Sequence, residues 1–367
     1  MTPVQQKYFD AYQRLRNYSA VAREFGVNES TVRQAIKTAQ MFMDADDAIK
    51  FAMASAGMRD IGALHSGWIK NETASLYFKA PQDDVAESFI DRIKYEFVGI
   101  KPIEPIDPPE HVLSELLTVY PLADAHIGML AWGAETGEDY NTKIACDRLR
   151  YWIGKAVASA PASHTAVILD VGDLTHADDQ KNMTPRSGHI LDVDTRHYRT
   201  LEATIAALAA AAELAAQKHR EVIIRILPGN HNPQAYMAVM FALAERYRDN
   251  PRISVEKNPS EFFVMQWGKV MLCAHHGDKA KAERLVLNMA DVHPEIWGKT
   301  THRYLFTGHL HHHKSADIGG VQWEQLRALT AKDAYAVSHA YSARSQLQAI
   351  TYDKERGEVM RVKIGSF

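Results

Sequence analysis

Five apolar runs, each closing on a histidine or a short carboxylate or amide side chain, constrain this chain more than any other feature. They are LLTVYPLADAH from Leu116, TAVILDVGD from Thr165, EVIIRILPGNHN from Glu221, KVMLCAHHGD from Lys269 and RYLFTGHLH from Arg303. Short apolar runs rich in β-branched residues read as buried strands, and the stretches between them, residues 200–219 and 234–248 included, read as helices. Strands alternating with helices predict a layered α/β (α+β) domain. Its last segment, QLQAITYDKERGEVMRVKI, reads as a hairpin turning at Glu355 to Gly357.

Residues delivered from the carboxyl ends of neighbouring strands converge on one crevice. The candidates are Asp124, His126, Asp173, Asn230, His231, His275 or His276, His309 and His311. Singly, each block is commonplace: a DxH is usually a solvated turn, and a GD closes many strands. As an ordered set they bring hard oxygens and borderline imidazole nitrogens together, the donor mixture of a divalent-metal site. Alternation along a strand lets only one of His275 and His276 face that site. In TGHLHHHK, His312 and His313 fall outside the pattern and read as solvent-facing or supporting residues within reach of a substrate phosphate.

The N-terminus carries a different signal. SAVAREFGVNESTVRQAIKTA places small Ala22 in one helix, Gly26 in a turn, Asn28 as a helix cap, and Val32 and Ile36 one turn apart in a second helix, the pattern of a helix-turn-helix. Lys7, Arg14, Arg16, Arg23, Arg33 and Lys37 outnumber Asp10, Glu24 and Glu29, although the whole chain is close to neutral at −3. Local basic charge of this kind suits DNA, with Ser30, Thr31, Arg33, Gln34 and Lys37 on the second helix as candidate contacts. Between the two signals, GWIKNETASLYFKAP reads as two short strands around Asn71-Glu72, and DDVAESFIDRIKYEFV has helical periodicity. KPIEPIDPPE, with four prolines in ten residues, reads as a linker. The expected division is residues 1–40, a helix-turn-helix module; 41–110, a connector; and 111–367, the α/β domain.

No secretory leader and no transmembrane-length apolar run is evident, and the two cysteines, Cys146 and Cys273, have no close companion. A cytoplasmic protein without membrane association, its cysteines buried as small apolar groups, is the expectation. Two-fold DNA operators would call for a homo-oligomer, and no heptad run advertises one.

From Leu116 to Leu347 the five blocks resemble, in order, the DxH, GD, GNH[DE], H and GHxH pattern of the calcineurin-like metallophosphoesterase superfamily. GDLTH and the N-terminal module are most similar to its DNA-repair exonuclease branch and phage-type relatives. The resemblance implies a metallophosphoesterase-type β-sandwich flanked by helices and two divalent ions, manganese first, with iron or zinc as alternatives. Asp124, His126 and His311 would hold one ion, Asn230, His276 and His309 the other, and Asp173 would bridge them. His231, working with Asp173 and Asn230, would act as general acid or stabiliser of the leaving oxygen. The pattern follows that histidine with an acid, whereas Asn232 stands here; Asp178 or Asp179 could replace the missing carboxylate. From the long loop after Asp173, His176 could orient a ligand, and Lys181, Arg186 and Arg196 could meet phosphate. The implied function is a phosphodiesterase or nuclease on DNA. The alternatives are a phosphomonoesterase or small-nucleotide phosphodiesterase, and a DNA-binding assembly protein with weakened catalysis.

Overall fold

The computed structural model describes residues 3–37, 66–70, 75–79 and 106–365. The chain divides into two compact units, Met1–Ile103 and Glu104–Phe367.

In the first unit α1 (Pro3–Leu15) and α2 (Tyr18–Phe25) precede α3, residues 29–37. Phe9, Ala11, Val21, Ala22, Val32 and Ile36 are buried together, so Val32 and Ile36, one turn apart, form the inward stripe of α3. The turn before α3 requires Gly26, whose φ of 66° lies in the left-handed region. Asn17 caps α2 by accepting from the Ala20 N–H at 3.0 Å. Asn28, the cap expected for α3, contributes only its backbone carbonyl, which accepts from Thr31 and Val32. Antiparallel strands β1 (Ser66–Lys70) and β2 (Ser75–Lys79) lie on either side of residues 71–74. The helical pattern expected at 83–98 and the first half of the proline-rich segment lie outside the described residues.

The second unit runs through β3 (Leu113–Leu122), α4 (Gly133–Thr136), α5 (Thr142–Ser159), β4 (Ser163–Asp170), α6 (His197–Ala216), β5 (Glu221–Ile226) and α7 (Ala235–Arg246). It continues with β6 (Ile253–Val255), β7 (Phe263–Trp267), β8 (Val270–Ala274), α8 (Ala282–Val292), α9 (Pro294–Lys299) and β9 (His302–Thr307). The chain ends with β10 (Lys314–Ile318), β11 (Val321–Gln325), α10 (Ala334–Ser338), β12 (Gln346–Asp353) and β13 (Gly357–Gly365). Two sheets result, a six-stranded one ordered β13-β12-β3-β4-β5-β6 and a five-stranded one ordered β10-β11-β9-β8-β7.

Alternation decides what lies between them. Leu117, Val119, Val167, Leu169 and Ile350 from one sheet meet Leu272, Phe306 and Phe263 from the other in one apolar core. The opposite face of the five-stranded sheet, at Met271, Cys273 and Leu305, packs on Leu285, Val286 and Met289 of α8. Helices α5 and α6 pack on one another, with α5 touching β12 and β13 and α6 touching β4 and β5. The architecture is therefore a two-sheet α/β sandwich flanked by helices. Both cysteines are free and buried, and among the described residues no helix is long and apolar enough to cross a membrane. Strands β3, β4, β5 and β6 are parallel, as are β8, β9 and β11. Loops bearing the candidate residues leave the carboxyl ends of β3, β4, β5, β8 and β9.

Candidate metal centre

Backbone hydrogen bonds continue past the strand ends and stitch these loops together. Asp124 N donates to Gly172 O at 3.2 Å, His126 N to Asp173 O at 3.0 Å and Gly308 N to His276 O at 2.9 Å. A second tier fixes them from behind: the buried Tyr140 hydroxyl donates to Ala125 O at 2.8 Å, and Thr330 N donates to Asp124 O at 3.1 Å. Asp124, His126, Asp173, His309 and His311 all adopt positive φ, between 44° and 71°. Side chains other than glycine rarely take that conformation, and its cost is tolerated where surrounding structure over-determines it, typically at functional sites.

Three groups of donors gather among the described residues: two hold the expected ligands, and His126, His176 and His231 form a third. Asp124, His126 and His311 bring their donor atoms within 4.8 Å of one another, and so do Asp173, His276 and His309. Asp173 joins the two clusters, its Oδ2 lying 3.1 Å from His276 Nε2 and 3.9 Å from His126 Nε2. Asn230 Oδ1 enters the second cluster 3.1 Å from His276 Nε2. In the first, His311 Nε2 lies 3.4 Å from Asp124 Oδ1 and 3.2 Å from His126 Nε2. The carboxylates are anchored by main-chain donors: His309 N reaches both oxygens of Asp124 at 3.0 Å, and His231 N reaches Asp173 Oδ1 at 2.8 Å. Two glycines make this approach feasible. A Cβ on Gly229 would sit 2.0 Å from Asp173 Oδ1, and one on Gly308 would sit 2.7 Å from Asp124 Oδ2.

The electrostatics follow from burial and charge. Burial opposes ionisation of Asp173, but His276 beside it prevails and holds the carboxyl well below its usual range. Conversely, burial opposes protonation of His276, and Asp173 outweighs it, raising the imidazole to about 10. Two buried carboxylates thus attract positive charge strongly. Burial, reinforced by His231, keeps His126 well below its ordinary value, and burial pushes His176 down to about 3. His276 places Nδ1 against the Val171 carbonyl at 3.0 Å, leaving Nε2 aimed at the centre. His126 likewise turns Nδ1 to His176 Nδ1 at 3.1 Å. Fixing the outer nitrogen of an imidazole in this way is how proteins orient a metal ligand. The donor set, carboxylate and amide oxygens with imidazole nitrogens in two adjoining groups, fits a pair of divalent cations.

His231 is half-buried beside these ligands, its ring 4.6 Å from that of His126. Its Nδ1 donates to the His176 carbonyl at 2.8 Å, so Nε2 is the nitrogen available to a substrate. Among the described residues neither Asp178 nor Asp179 hydrogen-bonds the ring. Asp178 instead accepts from Gln234 N and Ala235 N at the start of α7, and Asp179 accepts from Lys181 N. Asn232 is fully buried and does not orient the ring: its Oδ1 accepts from Gly229 N at 3.1 Å.

Of the remaining candidates, His275 turns away to the Phe262 ring, His312 is exposed, and His313 faces Glu324 at 3.3 Å. Lys181, Arg186 and Arg196 are exposed, and their side chains contact none of the candidate ligands. In the first unit Ser30, Thr31, Arg33, Gln34 and Lys37 are all exposed on α3. Arg33 is held by Glu29 at 2.6 Å and lies over the Tyr18 ring. Sequence reasoning missed Tyr140, for which the sequence carries no signal, and Asp170. That second residue ends β4 fully buried, with no hydrogen-bond partner for either oxygen among the described residues. A charge inside the apolar run TAVILDV was its only trace.

No family model and no curated protein matches the chain. Among solved structures, it is similar to a predicted phosphoesterase from Streptococcus pneumoniae, at 9% identity over 69% of this chain and 100% of the other, with a TM-score of 0.28. It is also similar to zinc-complexed Vps29 from Entamoeba histolytica, at 12% identity over 68% and 98% with a TM-score of 0.28. An archaeal phosphodiesterase is similar at 12% identity over 68% and 99%, with a TM-score of 0.34. Likeness at these scores bears no weight for activity or substrate.

Proposed function

We propose that the chain is a two-metal phosphoesterase of the calcineurin-like metallophosphoesterase superfamily, a phosphodiesterase acting on DNA to which the N-terminal helical unit anchors it. One observation carries this reading: Asp124, His126, Asp173, Asn230, His276, His309 and His311, drawn from five separate loops, meet at one place. Asp124, His126 and His311 would hold one divalent ion, Asn230, His276 and His309 the other, and Asp173 would serve both, with manganese the first candidate. Bound there, the ions would supply charge neutralisation on phosphoryl oxygens and a nucleophile at neutral pH.

The chain's own groups do the rest. His231, with Nδ1 committed to the His176 carbonyl, presents Nε2 to the leaving oxygen and can pass it a proton. His176 thereby serves twice, its ring setting His126 and its carbonyl setting His231. On the helical unit, the basic residues and the exposed face of α3 suit a duplex major groove.

The testing experiment is manganese-dependent hydrolysis of bis(p-nitrophenyl) phosphate and of the matching monoester, with metal content assayed on the same samples. Asp173→Asn should lose both metal and activity. His231→Ala should keep its metal and lose about 10²–10⁴ in kcat. Hydrolysis of the monoester alone would favour a phosphomonoesterase. A second reading, a DNA-binding assembly protein with weakened catalysis, draws on His231 having a carbonyl where a carboxylate was expected. Two bound metals without turnover of either ester would select it.

A further inference from the structure

Large side chains lie exposed on the rim beside the centre. Leu130, Trp132, Ile190, Tyr335 and Tyr341 are between 45 and 85% exposed, a high share for groups that gain most from burial. They belong to one surface. The segment after His126 carries Leu130 and Trp132, and it pairs with the loop bearing Ile190 through the Met129–Val193 bridge and the Leu130 N to Asp192 O hydrogen bond at 2.9 Å. Helix α4, immediately after Trp132, touches α10, which carries Tyr335. His189, beside Ile190, has its ring 6.4 Å from that of Tyr335. Thr330, three residues before Asp333, donates its N–H to Asp124 O at 3.1 Å, so this surface adjoins the candidate ligands.

Charge selects the occupant. Four carboxylates around the rim are engaged: Asp139 accepts from Gly133 N, Asp194 from Thr142 N and Oγ1, Asp333 from Ala336 N, and Glu138 pairs with Arg148, while Glu135 and Asp192 form no ion pair among the described residues. Unpaired cations on the same segments outnumber those two. Lys181, Arg186, Lys332 and Arg344 form no ion pair among the described residues. Exposed rings among unpaired cations, bordering a phosphodiester centre, match a polymer of bases on an anionic backbone.

We propose that this rim is a stacking platform for the bases of a single-stranded nucleic-acid segment whose backbone lies in the metal centre. The inference rests on the phosphodiesterase reading of that centre and specifies the substrate's form. Trp132 and Tyr335, from adjoining elements, supply the principal faces. Unstacked bases are required, since a duplex offers rings only at its ends.

The test measures binding of a fluorescein-labelled oligothymidylate, and of a duplex of equal length, to the full chain by anisotropy in the presence of a chelator. Wild type is set beside Trp132→Ala, Tyr335→Ala, their combination, and the ring-preserving Trp132→Phe and Tyr335→Phe. Bis(p-nitrophenyl) phosphate turnover is followed separately with manganese. Single-strand affinity should fall about tenfold for each ring removed and be largely retained in the phenylalanine variants. Duplex affinity and small-ester turnover should hold. Unchanged single-strand binding, or an equal loss on duplex, would overturn the platform. So would a wild-type dimer in sedimentation that the double variant dissociates, because the rim would then be covered by a second copy. If the small ester is not hydrolysed while the binding pattern appears, the phosphodiesterase reading fails and the platform stands.

Discussion

His309 holds φ at 71°, a conformation that costs a β-carbon residue roughly 1 kcal/mol or more. Asp124, His126, Asp173 and His311 share that burden. Strain can be separated from chemistry by comparing two truncations at one position. His309→Gly and His309→Ala both remove the imidazole, but only glycine relieves the backbone. The glycine variant should be the more stable by about 1 kcal/mol in chemical denaturation, the reverse of the usual order at a regular position. An alanine variant equal to or more stable than glycine would mean that the loop relaxes without cost. Either variant should lose metal.

At the scale of elements, α3 divides into a buried stripe and an exposed face, and substitutions on each should read out differently. Ile36→Ala opens a cavity in the small core that includes Phe9 and Val21 and should destabilise the helical unit by about 2–5 kcal/mol. Lys37→Ala, on the exposed face, should leave folding intact and reduce the salt dependence of duplex binding by about one phosphate contact. An unchanged salt slope would remove Lys37 from the proposed DNA surface. Elements of this kind were legible from sequence because burial imposes a period: the apolar runs ending at Leu122, Asp170, Ile226, Ala274 and Thr307 are all strands. Candidate ligands were legible because each follows a run directly. Their left-handed backbone was not, since φ at a histidine is imposed by neighbouring loops and leaves no compositional trace. Nor was the partner of His231: the sequence showed a missing acid at Asn232, but a carbonyl 55 residues away in the chain fills the place.

At the scale of the whole molecule, stability also draws on a buried histidine that hydrogen-bonds none of the candidate ligands. His219 is fully buried, with Nε2 2.7 Å from the Tyr120 hydroxyl and Nδ1 2.7 Å from Ser163 Oγ. Burial pushes its pKa down from 6.5 to about 4. The unfolded chain therefore binds a proton there at a higher pH than the folded chain does. The contribution is complete above about pH 6.5 and is lost as pH falls toward 4, roughly 3 kcal/mol in all. Urea midpoints measured across that interval should fall more steeply for wild type than for His219→Gln, and the difference isolates this site from the histidines of the centre. Parallel slopes would show that His219 titrates normally. The ligand order has a consequence in time as well as in space. Candidate donors run from Asp124 to His311 on loops that follow strands of both sheets, so neither cluster of expected ligands is complete until His309 and His311 have been made. The strand next to β3, β12, comes later still. A ribosome must release the chain through His311 before the last candidate ligand can reach the first, so the centre assembles only after strands of both sheets have been made.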